Sequence, residues 1–294
     1  MVVVAEDTVA TILKQGFELF SASEKKIARA LLAEYPVAGL EPVSKLAERS
    51  GVSAPTVLRL LTKLGIHSYP EFQARLRNEI SMSGSGPIDQ YREKTPGEML
   101  GSVDEQMRSY ETALVSIRES FRQIPPSEFE AVVDLLADKK RRLWLLGGRF
   151  SRLISEYFAL HLQILRPSVR YIGANETERS VALLDIKSGD VVFAFDYRRY
   201  QESTVRFAQR AKASGATLVV FTDPALSPAV QIADHVLATE VESVSPFDTI
   251  APSLVLAETL VTALTAKLGN KPIVRIETFD ALEEPVEDPQ KRSQ

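Results

Sequence analysis

The chain has 294 residues, 45% hydrophobic and 25% charged, enough for two globular units. It contains no cysteine, and its three histidines, His67, His161 and His235, lie far apart, so disulfides, thiol catalysis and thiolate zinc sites are excluded and metal binding has no support. A formal net charge of −4 excludes a uniformly basic nucleic-acid binder, so any DNA contact must rest on a local patch.

No run of about 18 apolar residues occurs, and residues 1–10 lack a basic region followed by an apolar core. Neither a membrane span nor a secretory signal is expected, which places the chain in the cytoplasm. Residues 8–20 predict an amphipathic helix with Val9, Ile12, Leu13, Phe17 and Phe20 on one face. Ser21 followed by Glu24 is a capping-box pattern, and Ile27, Ala28, Leu31 and Leu32 continue as a buried stripe until Pro36.

Residues 43–50 predict a short helix with Val43, Leu46 and Ala47 inward, followed by a glycine-containing turn and a second helix within 51–65. Ser53 is placed to cap that helix, and Pro55 is tolerated in its first turn, whose amides have no partner within the helix. Val57, Leu60, Leu61 and Leu64 form its inner stripe and Gly65 its stop. Pro55, Leu58, Arg59 and Thr62 lie opposite, with Thr56 and Lys63 on the shoulders. This outer face suits the major groove, where arginine pairs with guanine edges and apolar groups meet thymine methyls. Taken alone, the segment fits an ordinary amphipathic helix with solvated cations equally well; the helix before it favours a helix-turn-helix. The DNA-contacting set expected is therefore Ser53, Pro55, Thr56, Leu58, Arg59, Thr62 and Lys63. A further helix follows over 69–80, with Phe72 and Leu76 inward and Arg75 and Arg77 exposed.

Residues 20–80, through FSASEKKIARALLAEYP, GVSAPTVLRLLTKLG and HSYPEFQARLRNEI, resemble the N-terminal DNA-binding domain of the RpiR family of bacterial transcriptional regulators. The expected organisation is an all-α helix-turn-helix domain over 1–80 and a Gly, Ser and Pro-containing linker over 81–97. An α/β domain with a doubly wound parallel sheet follows over 98–270, with a mobile tail over 271–294. A long helix is predicted at 98–124, carrying more apolar surface than a connector needs, and the resemblance implies that this region helps the regulator dimerise. Strands are predicted at 142–146, 169–172, 191–195, 217–221 and 235–238, with helices including 150–165, 201–214 and 249–268 between them. That alternation implies parallel βαβ units with ligands at the carboxyl ends of the strands.

Residues 143–237 resemble the sugar isomerase (SIS) domain that serves such regulators as an effector module, most closely in FTDPALSPAVQIADHVL. The family's Gly-x-Gly-x-Ser loop is here Gly147-Gly148-Arg149-Phe150-Ser151, and its Ser-x-Ser-Gly-x-Thr loop is Asp196-Tyr197-Arg198-Arg199-Tyr200-Gln201, without any of the small hydroxyls. Two readings follow. In one, Gly147, Arg149, Ser151, Asp196, Arg198 and Arg199 form a site for a small anionic effector, a phosphosugar or an organic acid, with the arginines as a clamp. In the other, Asp196 pairs with an arginine and the module is a ligand-free oligomerisation domain. Phosphosugar isomerisation needs a positioned base, and Glu176, Glu178, Glu240 and Glu242 do not differ in spacing from surface carboxylates, so no enzyme is expected. The partners expected are double-stranded operator DNA, a small anionic effector and further copies of the chain, as a dimer or tetramer; no cofactor, metal or membrane is implied.

Overall fold

The computed structural model describes residues 8–33, 35–84, 88, 90–91 and 102–283. The N-terminal unit is helical. Helix α1 (Val9–Gln15) stops at Gly16, and a single 3-10 turn (Phe17–Leu19) follows, so the one helix expected over 8–20 is broken. The break lets the Phe20 ring pack where a Cβ on residue 16 would stand, 2.7 Å away. Helix α2 (Ala22–Ala33) begins with the expected reciprocal cap: the Ser21 amide donates to Glu24 Oε2 at 2.7 Å and the Glu24 amide to Ser21 Oγ at 3.4 Å. After α3 (Val37–Leu40) come α4 (Val43–Ser50), α5 (Ala54–Lys63) and α6 (Tyr69–Gly84), which bury Leu46, Leu60 and Phe72 against Leu13, Ile27 and Leu31. Helix α6 continues through 81–84, into the stretch expected to be linker; most of that stretch lies outside the described residues.

The second unit starts with the long helix α7 (Ser102–Gln123); residues 98–101 of the expected helix are outside the described ones. Helix α8 (Pro126–Ala137) leads into the sheet: β1 (Leu143–Gly147), α9 (Arg152–Leu165), β2 (Val169–Ile172), α10 (Glu176–Asp185), β3 (Val191–Phe195), α11 (Glu202–Ala213), β4 (Thr217–Thr222) and β5 (His235–Ala238). The five strands lie in the order β2-β1-β3-β4-β5, every pair parallel, with Leu143 opposite both Val169 and Val191. Side chains alternate across the sheet. Leu143, Leu145, Phe193, Phe195 and Phe221 face a core shared with Phe158 of α9 and with helix α12 (Ala251–Leu268), while Trp144, Leu146, Val192 and Val220 face Phe207 of α11 and Ala182 of α10. Burial on both faces explains why these strands are continuous apolar runs.

Helix α12 is long and apolar enough to cross a bilayer by length and composition. Leu256, Leu260 and Leu264 instead bury it against the sheet. The tail expected from 271 onward is partly corrected: Ile273–Glu283 is a further helix, α13, held where Arg275 Nε donates to the Gln163 carbonyl at 2.7 Å.

Phe221 is fully buried and stacks on Phe195 at 4.2 Å between centroids. Phe221→Ala is expected to lower the stability of the α/β unit by about 3–5 kcal/mol, read as a downward shift of its thermal or urea transition.

Candidate functional site

The turn between α4 and α5 is set by Gly51, whose φ of 61° is a left-handed conformation that side chains disfavour. Its amide donates to Glu48 O at 3.0 Å and the Val52 amide to Ala47 O at 3.0 Å, closing α4 with a double bond pattern that aims α5 away from it. Helix α5 ends in the same way, with the Gly65 amide on Thr62 O and the Ile66 amide on Leu61 O. Val57, Leu60 and Leu61 are buried, whereas Pro55, Leu58, Arg59 and Thr62 are exposed on the opposite face.

Two side chains on this helix differ from the sequence expectation. Ser53 occupies the capping position but makes no bond to an amide; its Oγ pairs at 2.9 Å with Thr56 Oγ1, a competing hydroxyl one turn on. Thr56 in turn accepts Arg59 Nη2 at 2.9 Å, so Ser53, Thr56 and Arg59 form one chain of contacts across the outer face. Lys63 is turned back onto its own domain, donating to the Leu19 carbonyl and to Glu24 Oε2, each at 3.1 Å, over the Phe20 ring. On α6, Arg75 is paired with Glu71 at 3.2 Å and Arg77 is exposed.

The second site is a cleft of about 580 Å³ at the carboxyl ends of β1 and β3. The loop after β1 can turn tightly because residue 147 is glycine; a Cβ there would stand 2.5 Å from the Arg152 amide. Ser151 is buried and its hydroxyl is already engaged, donating to the Phe195 carbonyl at 2.6 Å and accepting from the Gly148 amide at 2.8 Å. Arg149 and Arg199 are exposed on the cleft and have no carboxylate partner among the described residues; Arg199 sits at a φ of 62°.

Arg198 is unlike the other two. Its side chain is only 8% exposed, and its Nη2 donates to Asp248 Oδ1 at 2.5 Å with Glu242 3.8 Å away. Burial works against its charge, but these carboxylates outweigh it and raise the guanidinium pKa above its ordinary value. Its Nε is buried and has no hydrogen-bond partner among the described residues. Asp248 Oδ1 also accepts Gln90 Nε2 at 3.2 Å, from the segment between the two units.

Beneath the loop lie two buried carboxylates. Asp223 accepts the Arg198 amide at 2.5 Å, the Tyr200 hydroxyl at 2.9 Å and the Ala225 amide at 3.0 Å. Asp196 accepts the Ser227 hydroxyl at 2.5 Å and the Gln201 amide at 3.0 Å, not an arginine side chain. Burial pushes the Asp196 carboxyl up to about 6, with Ser227 and Gln201 pulling it down and neighbouring Asp223 pushing it further up. Asp223 is likewise raised by burial. Arg179 of α10, which sequence reasoning passed over, is buried and ties the site together by donating to the Gly147 carbonyl at 2.9 Å and to Ser203 Oγ at 2.9 Å. A usable signal existed: Arg179, Ala182, Leu183 and Ile186 share helical spacing.

A helix-turn-helix joined to a doubly wound domain with a cleft at its strand-order reversal defines a class, the helix-turn-helix regulator with a C-terminal α/β domain. Comparison with known proteins narrows it. A helix-turn-helix domain model of the rpiR family matches residues 8–83, and a SIS domain model matches 135–263. An uncharacterized HTH-type transcriptional regulator of Haemophilus influenzae is 26% identical over 224 residues, covering 75% of this chain and 76% of that protein. The HTH-type transcriptional regulator HexR of Escherichia coli is 22% identical over 268 residues, covering 88% of each. Among solved structures, the sugar isomerase domain of an RpiR transcription factor from Sphaerobacter thermophilus aligns with a TM-score of 0.54 at 20% identity, over 60% of this chain and 98% of that one. The Vibrio vulnificus NanR protein complexed with ManNAc-6P aligns with a TM-score of 0.52 at 17% identity, over 93% and 97%. The chain belongs to the RpiR family of transcriptional regulators, with a C-terminal SIS domain.

Because the fold raises the Asp196 pKa from an ordinary value near 3.8 to about 6, it favours the protonated form. The associated stability is full on the acid side and lost as pH rises through about 6. Asp196→Asn has no charge to lose. Thermal unfolding from about pH 4.5 to 7.5 is therefore expected to show the variant gaining stability relative to the unsubstituted protein as pH rises, with the difference levelling off once Asp196 is fully ionised.

Proposed function

We propose that α5 reads operator DNA and that the SIS cleft binds a small anionic effector which alters the placement of two DNA-binding domains in a dimer or larger assembly. On the DNA side, Arg59 is the base reader, oriented by its contact with Thr56, and Pro55, Leu58 and Thr62 complete the face presented to the major groove. Ser53 acts through Thr56, and Lys63 holds α5 against the start of α2 and adds positive potential beside the groove. Val103, Met107, Tyr110 and Leu114 leave an apolar stripe exposed along α7, which supports association between copies of the chain.

The observation that carries the effector reading is Arg198. A buried guanidinium lining an open cleft, with one nitrogen unpartnered among the described residues and another held by Asp248, is a site at which an incoming anion can compete. Asp248 is also the carboxylate that Gln90 grips, so a change at Arg198 reaches the segment between the units through one shared oxygen. Helix α7 is connected to the same region: Ser116 Oγ donates to the Glu242 carbonyl at 3.3 Å, and Ser120 Oγ accepts the Glu240 amide at 2.8 Å. The Arg198–Asp248 pair also favours a second reading, a cleft closed by its own carboxylate in a module that serves only assembly. Catalysis forms no part of either reading, in keeping with relatives named as transcriptional regulators.

Arg59→Ala is expected to lower affinity for the cognate operator by about 1–3 kcal/mol and to change affinity for random DNA far less, measured by fluorescence anisotropy at fixed salt. Equal losses on both DNAs would remove Arg59 as a base reader. Gln90→Ala is expected to leave binding of an anion identified by calorimetric screening within about twofold, while abolishing that anion's effect on operator affinity. Retention of the full effect in the variant would place the coupling elsewhere.

A further inference from the structure

The ligand chemistry of the cleft is legible from what lines it, and it does not match a polyhydroxylated phosphate ester. Hydroxyls in and beneath it are already committed. Ser151 is closed onto the ends of β1 and β3. Tyr200 donates to Asp223, and Tyr197 bonds Thr239 at 3.2 Å and also Ser253. These two tyrosines therefore tie their polar tips to residues outside the cleft lining. Ser227, under the floor, is held by Asp196.

The walls are apolar. Phe150 and Leu153 come from the β1 side, and Phe247 and Ile250 from the loop before α12. Phe150 is 57% exposed and Phe247 61% exposed, a costly arrangement for phenyl groups unless an apolar body covers them.

The charge pattern selects the head group. Arg149 and Arg199 at the rim give positive potential, but Asp196 and Asp223 lie under the loop and Asp248 and Glu242 flank Arg198. A dianion would meet this ring of carboxylates at close range; a monoanion meets less repulsion. The group already seated on Arg198 is a carboxylate, that of Asp248, and the adjacent Nε is a buried donor without an acceptor among the described residues. Another carboxylate placed side-on could take Nε and Nη2 together.

We propose that the effector is a monocarboxylate with a flat, apolar, aromatic body, its carboxylate displacing Asp248 from Arg198 and its ring lying between Phe150 and Phe247. The inference rests on the effector reading of this cleft. It differs from a phosphosugar assignment in both halves of the ligand, the body and the head.

Isothermal titration of the full chain, in a buffer free of carboxylate and phosphate, tests it with benzoate, phenylacetate and phenylpyruvate against glucose 6-phosphate, fructose 6-phosphate, inorganic phosphate and the neutral analogue benzamide. At least one aromatic acid is expected to bind at least about tenfold more tightly than any phosphosugar, and benzamide about tenfold more weakly than benzoate. Phe247→Ala and Phe150→Ser alter exposed side chains, so both are expected to keep the melting temperature while weakening the aromatic acid about fivefold or more. A phosphosugar binding as tightly as the best acid would overturn the ligand class while leaving an effector cleft in place. Benzamide equal to benzoate would overturn the carboxylate head. No saturable binding by any acid, phosphosugar or phosphate would overturn the effector reading itself.

Discussion

The pairing of β1 with β3 is the constraint on which the rest of the α/β unit depends. Parallel strands must be joined by crossovers of one hand, so the chain leaving β1 crosses by α9 to β2 on one side, while β3 stands on the other. The loops that leave β1 and β3 then diverge, and the gap between them cannot be filled by either crossover helix. Every residue of β1 and β3 is buried. Only the loops beyond the strand ends remain available to a ligand, and the cleft is lined from those two loops and from the segment after β5.

A loop that carries Tyr, Arg, Arg and Tyr where small residues would suffice needs its own support. Asp223 supplies it by gathering an amide, a hydroxyl and a second amide onto one carboxylate, and Asp196 does the same for the end of the loop. Burial is unfavourable to both carboxylates as charges, which is why both titrate above the ordinary range, and Asp223 pushes Asp196 up further. Their cost is offset by the donors they organise. Arg199 can accordingly be held at a positive φ that a free loop would avoid.

The central strands were legible because a parallel sheet covered on both faces demands β-branched and aromatic runs, as at 191–195, while the edge strands 169–172 and 235–238, only partly buried, were legible from shorter β-branched and apolar stretches between helices. Helix α10 was not, since its exposed side carries Val181 and Leu184 and its inward face includes Arg179, so a hydrophobic pattern does not separate the two faces. Helix α13 was obscured by the charged, proline-containing stretch that follows it. In the cleft, the strand ends and the loop residues could be placed from sequence, but the partners of Arg198 could not. Asp248 is 50 residues from Arg198, and Gln90 is 158 residues from Asp248. No local rule connects them. Ser53 shows the opposite limit: a sound local rule for capping was overridden by a neighbouring hydroxyl that satisfied the same side chain.

An internal carboxylate on the sensing arginine has a thermodynamic consequence under the proposed reading. A ligand shifts an equilibrium only by its differential affinity for two states, and here the states differ in whether Asp248 holds Arg198. The intramolecular pair weakens apparent binding, because the ligand must displace it. That same displacement makes occupancy visible elsewhere, since the released carboxylate is the one Gln90 contacts. A cleft lined by unpaired arginines would bind an anion more tightly and report less, because nothing would have to move. Arg149 and Arg199, without carboxylate partners among the described residues, then serve attraction and orientation at the rim, while Arg198 alone couples binding to the segment that joins the sensor to the DNA-binding helices.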